Sequence, residues 1–172
     1  MVQIRKANFS DAELIADLSR ETFYDTFAEF NTQEDMDKFL KEQFSKEYLM
    51  AQVTEQGNIF LLAYADEQPA GYVFMKESSH EALATKNVIE VSRLYARTAF
   101  IGKGIGKALM NAAIEKAQQL QKEYIWLGVW EHNHRAIDFY QKQGFEKFSE
   151  HDFILGNDIQ RDWVMKKEIT RY

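Results

Sequence analysis

The sequence predicts a mixed α/β (α+β) fold: a mostly antiparallel sheet of about seven strands with helices on both faces. Three observations carry that prediction. Apolar runs of strand length alternate with helical patterns along the chain. Residues 59–64 and 70–75 are two such runs around a turn, Ala65-Asp66-Glu67-Gln68-Pro69, and read as an antiparallel hairpin. Residues 88–130 switch from strand to helix and back, and a strand–helix–strand unit requires one parallel pair. At 172 residues the chain suits one domain with a hydrophobic core, so 1–172 is read as a single domain.

Val2-Gln3-Ile4-Arg5-Lys6 alternates as a first strand. Ser10, three residues before Glu13, predicts a capping box at a helix start. Leu14, Ile15, Leu18, Phe23 and Phe27 then recur at helical spacing until Asn31 and Thr32 break the pattern. Met36, Phe39, Leu40 and Phe44 outline a second helix, and Tyr48, Leu49 and Val53 a short third one. After the hairpin, residues 88–95 form a strand. A narrow apolar stripe of Ile105, Leu109, Ala112, Ala113, Ala117 and Leu120 marks a long helix. Residues 124–130 form a strand, Ala136 to Tyr140 a short helix ended by Gly144, and residues 145–155 and 159–167 two final strands.

Composition removes several classes of function. There is no Cys, so disulfide frameworks, thiolate nucleophiles and Cys-based metal sites are absent. The absence suits a reducing compartment, and a cytoplasmic location is expected. No apolar run is long enough to span a bilayer, and no membrane partner is expected. Asp and Glu number 27 against 21 Lys and Arg, a formal charge of −6, which argues against nucleic acid as main ligand and mildly favours cationic substrates. His132 and His134 flank Asn133 without a third ligand, so no metal is expected.

The chemistry-bearing segment is the turn between the 88–95 strand and the long helix. Gly102, Gly104 and Gly106 alternate there, with Lys103 and Lys107 adding charge. Glycine permits positive φ and close ligand approach, and the helix start offers free N–H groups to a phosphate. A Walker loop is excluded because Ala108, not Ser or Thr, follows Lys107. The dinucleotide fingerprint fails because Leu109 stands where a third small residue belongs.

Val91-Ser92-Arg93-Leu94-Tyr95-Ala96, followed by Ile101-Gly102-Lys103-Gly104-Ile105-Gly106-Lys107-Ala108-Leu109, resembles the acetyl-CoA motif of the GNAT superfamily of N-acetyltransferases. Asn133-His134-Arg135-Ala136-Ile137-Asp138-Phe139-Tyr140-Gln141-Lys142-Gln143-Gly144-Phe145 is similar to that family's second signature, in family order and spacing. Glu21-Thr22-Phe23-Tyr24-Asp25-Thr26-Phe27 and Ile125-Trp126-Leu127-Gly128-Val129-Trp130-Glu131 resemble segments of the bacterial PaiA-type spermidine/spermine acetyltransferases. Two positions depart from the family pattern. Ile101 replaces the Gln or Arg that usually opens the loop, and Ser92 replaces a Glu often found on the preceding strand.

The resemblance implies acetyl-CoA as cosubstrate, held by Leu94, Tyr95, Ala96, the seven residues Ile101, Gly102, Lys103, Gly104, Ile105, Gly106 and Lys107, and by Asn133, Ala136 and Lys142 of the second signature. It implies that N–H groups near Leu94–Ala96 bind the thioester oxygen. Tyr140 is the implied general acid for the departing thiolate, although in isolation it reads as a core residue beside Phe139. Two bases are candidates. Glu90 lies two residues from Ser92 and four from Leu94 and so is expected on the Leu94 face of the strand. Glu131 ends the next strand. Glu21, Asp25 and Glu29 would turn one acidic helix face to a cationic acceptor, with Phe27 and Trp130 as aromatic walls. Trp126 is expected in the core.

The expected function is transfer of an acetyl group from acetyl-CoA to a primary amine by direct attack in a ternary complex, with a polyamine as leading acceptor. Protein N-terminal or lysine amines and other small amines are alternatives. A non-catalytic acyl-CoA-binding regulator is the alternative of a different class, and a homodimer is left open.

Overall fold

The computed structural model describes residues 1–169. Seven strands form one sheet: β1 (Val2–Lys6), β2 (Asn58–Ala65), β3 (Gln68–Lys76), β4 (Val88–Ala96), β5 (Tyr124–Trp130), β6 (Glu146–Leu155) and β7 (Asp158–Glu168), in spatial order β1-β2-β3-β4-β5-β7-β6. Five helices accompany them: α1 (Ala12–Phe27), α2 (Gln33–Gln43), α3 (Lys46–Thr54), α4 (Ile105–Gln119) and α5 (His134–Lys142). Every neighbouring pair is antiparallel except β4–β5, the strands joined through α4. The element order read from the sequence is the order observed.

The two faces of the sheet carry separate cores. On one, Ile105, Leu109, Met110, Ala113 and Ala117 of α4 pack with Val73, Ile89 and Leu127 of the sheet and Ile137 and Tyr140 of α5. On the other, Ile15 and Phe23 of α1, Met36 of α2 and Leu49 of α3 cover Phe60, Leu62, Tyr72 and Phe74. Each large apolar side chain so buried contributes about 1.5–3 kcal/mol, and the two-sided demand makes β2, β3 and β5 read as near-continuous apolar runs.

Two local expectations are corrected. The capping box belongs to Asn8 and Asp11, not Ser10 and Glu13: the Asn8 side chain accepts from Ser10 N–H at 2.9 Å, and Asp11 Oδ2 accepts from Asn8 N–H at 2.9 Å. A short 3-10 turn, Phe9–Asp11, precedes α1 and shifts the cap two residues earlier. Asp11 also takes a bidentate ion pair from Arg5 of β1, at 2.7 and 2.9 Å, which ties the helix start to the sheet edge.

The second correction concerns β4. Phe74 of β3 pairs with Arg93 and Met75 with Val91, so Ser92 is an extra residue, a β-bulge. The bulge resets the alternation. Val91 and Leu94 both pack toward α4, while Arg93 and Tyr95 pack toward α1 and α3. Glu90 therefore faces away from Leu94, contrary to the simple period-two expectation.

Candidate active site

β4 and β5 pair only over three positions, Val88↔Tyr124 to Glu90↔Trp126, and then diverge. A cavity of about 730 Å³ opens at the divergence, lined by α1, β4, the loop before α4, β5, the start of α5 and the middle of β7. It crosses the sheet from the α4–α5 face to the α1 face. The divergence leaves one edge of β4 without a strand partner. Arg97 N–H donates to Ala70 O on the β3 side at 2.8 Å, so the antiparallel alternation turns the N–H groups of Leu94 and Ala96 to the open edge.

At the α4 side the cavity meets the glycine loop. Gly102 and Gly104 hold φ of +83° and +81°, and Gly104 is the N-cap of α4. Nothing lies within 4 Å of where a Cβ would project from either glycine, so the loop backbone faces open space. Among the described residues the N–H groups of Ile105, Gly106 and Lys107 find no backbone acceptor, because the first one used by the helix is that of Ala108, donating to Gly104 O at 3.0 Å. A ring of unpaired donors at the positive end of a 15-residue helix suits a diphosphate.

Tyr140 projects from α5 to the cavity where β4 and β5 part. Its side chain is 8% exposed, and burial pushes the phenol up to about 12. Among the described residues nothing hydrogen-bonds its hydroxyl. A buried phenol without a protein partner stays protonated near neutral pH and can donate to a negative atom. Tyr95, opposite Tyr72 on the other face, is likewise raised by burial.

A family model described as "Acetyltransferase (GNAT) family" matches residues 15–145. The chain belongs to the GNAT acetyltransferase family. A relative in Lactobacillus delbrueckii subsp. lactis, named as an uncharacterized N-acetyltransferase in the pepI 3' region, is 37% identical over 170 residues, 98% of either chain. A spermidine N(1)-acetyltransferase of Thermoplasma acidophilum is 30% identical over 163 residues, 90% of this chain and 95% of the relative. The crystal structure of a PaiA N-acetyltransferase from Thermoplasma acidophilum, in complex with coenzyme A, superposes with a TM-score of 0.80 at 26% identity, covering 98% and 99% of the two chains. As a GNAT acetyltransferase this protein moves an acetyl group from acetyl-CoA to an amine.

The GNAT cavity gathers most of the residues singled out in the sequence. Leu94, Tyr95 and Ala96 line it from β4, and Ile101, Gly102, Gly104, Ile105, Gly106 and Lys107 from the loop and α4. Asn133 and Ala136 line it from α5, and Asn133 Oδ1 accepts from Ala136 N–H at 3.2 Å as the helix cap. On the α1 face it is walled by Asp25, Phe27 and Trp130; Asp25 accepts from Thr98 Oγ1 at 2.8 Å.

Six of the named residues lie elsewhere. Lys103 turns its ammonium over the Phe100 ring at 5.6 Å, and its N–H is spent on Phe100 O. Lys142, at the far end of α5, is off the cavity. Glu90 accepts from Ser78 Oγ at 2.5 Å and stands 3.7 Å from Lys76 Nζ, behind the bulge. Glu131 stands 3.3 Å from His132 Nε2 outside the cavity. Glu21 is engaged by Arg97 at 2.9 Å, and Glu29, which stands on the 3-10 turn Ala28–Phe30 after α1 rather than on the helix face expected for it, also lies off the cavity, so of these three carboxylates only Asp25 lines it. Trp126 is buried as expected, with Nε1 donating to Ser78 O at 2.9 Å. Among the described residues no cluster of three His, Asp or Glu could hold a metal, and no helix is long and apolar enough to cross a membrane.

Sequence reasoning missed Gly128, Arg135 and Asp162, all on the cavity wall. Arg135 sits inside the second signature and was readable there. Asp162 lies on β7, across the sheet from Trp130, and no spacing in the sequence links it to the rest.

Proposed function

We propose that the protein acetylates a primary amine by direct attack within a ternary complex, and that the acceptor is a polyamine. The observation that carries this is the single cavity crossing the sheet at the β4–β5 divergence, with unpaired loop N–H groups on one face and carboxylates on the other. Two reactants can then enter from opposite faces and meet in line, which removes much of the entropic barrier to their encounter. Residues 1–172 act as one acetyltransferase domain, in keeping with one sheet that uses all seven strands.

The diphosphate of acetyl-CoA rests on the N–H groups of Ile105, Gly106 and Lys107, with the Lys107 ammonium beside it. Leu94 and Ala96 N–H groups hold the thioester oxygen as it gains charge, and one such donor is worth about 3 kcal/mol in the transition state. The amine lone pair forms the N–C bond, the C–S bond breaks, and Tyr140 donates its hydroxyl proton to the departing thiolate. Neither Glu90 nor Glu131 lines the cavity, and neither takes the proton from the incoming ammonium.

A polyamine is favoured by the net charge of −6, by Asp25 and Asp162 on the α1-face wall, and by the 30% identity to a relative named a spermidine N(1)-acetyltransferase. The test is release of free CoA thiol from acetyl-CoA with a panel of amines: spermidine, spermine, a peptide with a free N-terminus and a lysine peptide. Spermidine or spermine should turn over fastest. Turnover only with a peptide would overturn the polyamine acceptor and keep the transferase. Tight acetyl-CoA binding without thiol release by any amine would instead favour an acyl-CoA-binding regulator.

A further inference from the structure

With Glu90 and Glu131 outside the cavity, the proton of the incoming ammonium needs another acceptor, and β7 offers one. Asp162 stands opposite Trp130 in register, and His151 of β6 stands opposite Asp162, so the three side chains form a row on the α1 face of the sheet. The row lies against Gly128, two residues beyond the last β4–β5 pair at Trp126. Gly128 makes the space for it: a Cβ there would fall 3.2 Å from Asp162 Oδ2 and 3.3 Å from the His151 ring. Asp162 is on the cavity wall, and its side chain is only 14% exposed. Oδ2 lies 3.5 Å from His151 Nε2, while Oδ1 is buried without a hydrogen-bond partner among the described residues. A half-satisfied carboxylate inside a protein is costly unless a donor reaches it. The cavity is the side from which a donor can come, and a turn about the broad Cβ–Cγ torsion presents either oxygen to it.

We infer that Asp162 is the residue that receives the substrate ammonium and accepts its proton, with His151 as a positioning residue that passes the proton to solvent. The inference rests on the amine-acetylation reading above and names its missing base. An ammonium N–H bonds to the Asp162 carboxylate. One proton moves through that carboxylate to Nε2 of neutral His151, whose side chain is 39% exposed and can release it to water. The neutral amine attacks the thioester carbon, the C–S bond breaks, and the thiolate takes the Tyr140 proton. The surplus proton on the new amide nitrogen restores the phenol, so one proton in total leaves through His151.

The surroundings suit that relay. The Asp162 carboxylate, 3.5 Å away, is the main influence holding the His151 imidazole above its ordinary 6.5. Glu90 of β4 and Asp152 of its own strand push in the same direction, and the His80 ring stacks 6.3 Å away from the segment before β4. Since the relay needs neutral His151, turnover should be low in acid and rise with pH through a midpoint above 6.5.

The experiment compares wild type, Asp162→Asn and His151→Gln. Acetyl-CoA affinity is measured by calorimetry, thiol release against pH with the best amine of the panel, and the His151 midpoint by histidine NMR with and without spermidine. Asp162→Asn should lower kcat/KM for the amine by about 100-fold or more with acetyl-CoA affinity unchanged. His151→Gln should flatten the acid limb. In the wild type spermidine should pull the His151 midpoint down by about one unit, and in Asp162→Asn it should leave it in place. Wild-type rates in Asp162→Asn, or an acid limb intact in His151→Gln, would overturn the assignment. If no amine releases thiol from the wild type, the transferase reading itself has failed. The spermidine response of His151 still decides whether Asp162 is an ammonium site.

Discussion

Tyr140 is the residue we propose as the proton donor, and its burial suits it to that role. Its apolar surroundings raise the phenol to about 12, so the proton is retained until a strongly basic atom arrives beside it. A thiolate leaving a thioester is such an atom. Tyr140→Phe removes the proton and keeps the ring that packs in the α4–α5 core, so kcat should fall by about ten-fold or more while acetyl-CoA affinity holds. Steady-state kinetics beside calorimetry separates the two, and an unchanged kcat would remove Tyr140 as the acid. The residue is legible in the sequence only through its place in the second signature, because a Tyr beside a Phe on a helix otherwise reads as core.

At the scale of the element, α4 and α1 each depend on how they begin. The α4 start needs Gly104 at φ +81°, where a β-branched residue is strongly disfavoured. Space is not the obstacle, since nothing lies within 4 Å of an added Cβ. Gly104→Val should therefore abolish acetyl-CoA binding in calorimetry by twisting the N–H groups off the diphosphate, with the far-ultraviolet circular dichroism little changed. Retained affinity would count against the diphosphate site. The α1 start is held by Asp11, whose carboxyl lies below its ordinary 3.8, first because Arg5 hydrogen-bonds it and also through Asn8 N–H. A depressed carboxyl stabilises the fold above the unfolded-state value and loses that contribution as pH falls through the folded one. Asp11→Ala should cost about 1–2 kcal/mol in urea unfolding at neutral pH, and the gap to wild type should close progressively below about pH 3.8. A gap that does not change with pH would mean that the charge on Asp11 contributes nothing.

For the whole molecule, the decisive feature is where β4 and β5 stop pairing. Both faces of the sheet are covered by helices, so a passage from one to the other exists only where two neighbouring strands separate. The bulge at Ser92 turns Arg93 and Tyr95 to one side and Leu94 to the other just at that place, and Gly128 keeps the α1 side clear. Gly128→Ala puts a methyl against Asp162 and His151. It should raise the amine KM several-fold and leave acetyl-CoA affinity as it was. An unaltered amine KM would place the acceptor elsewhere.

Periodicity, turn chemistry and the alternate glycines gave, from the sequence alone, the element order, the two-faced sheet, the single parallel pair and the glycine loop that opens α4. Those are consequences of contacts between residues near one another in the chain, or of side-chain patterns that repeat along it. The tertiary structure alone decided which carboxylates reach the cavity. A single bulge reverses the face of Glu90, Arg97 takes Glu21 away, and strand pairing sets Asp162 and His151 beside Gly128. Register is fixed by packing across the sheet, between residues far apart in sequence, and no local pattern records it.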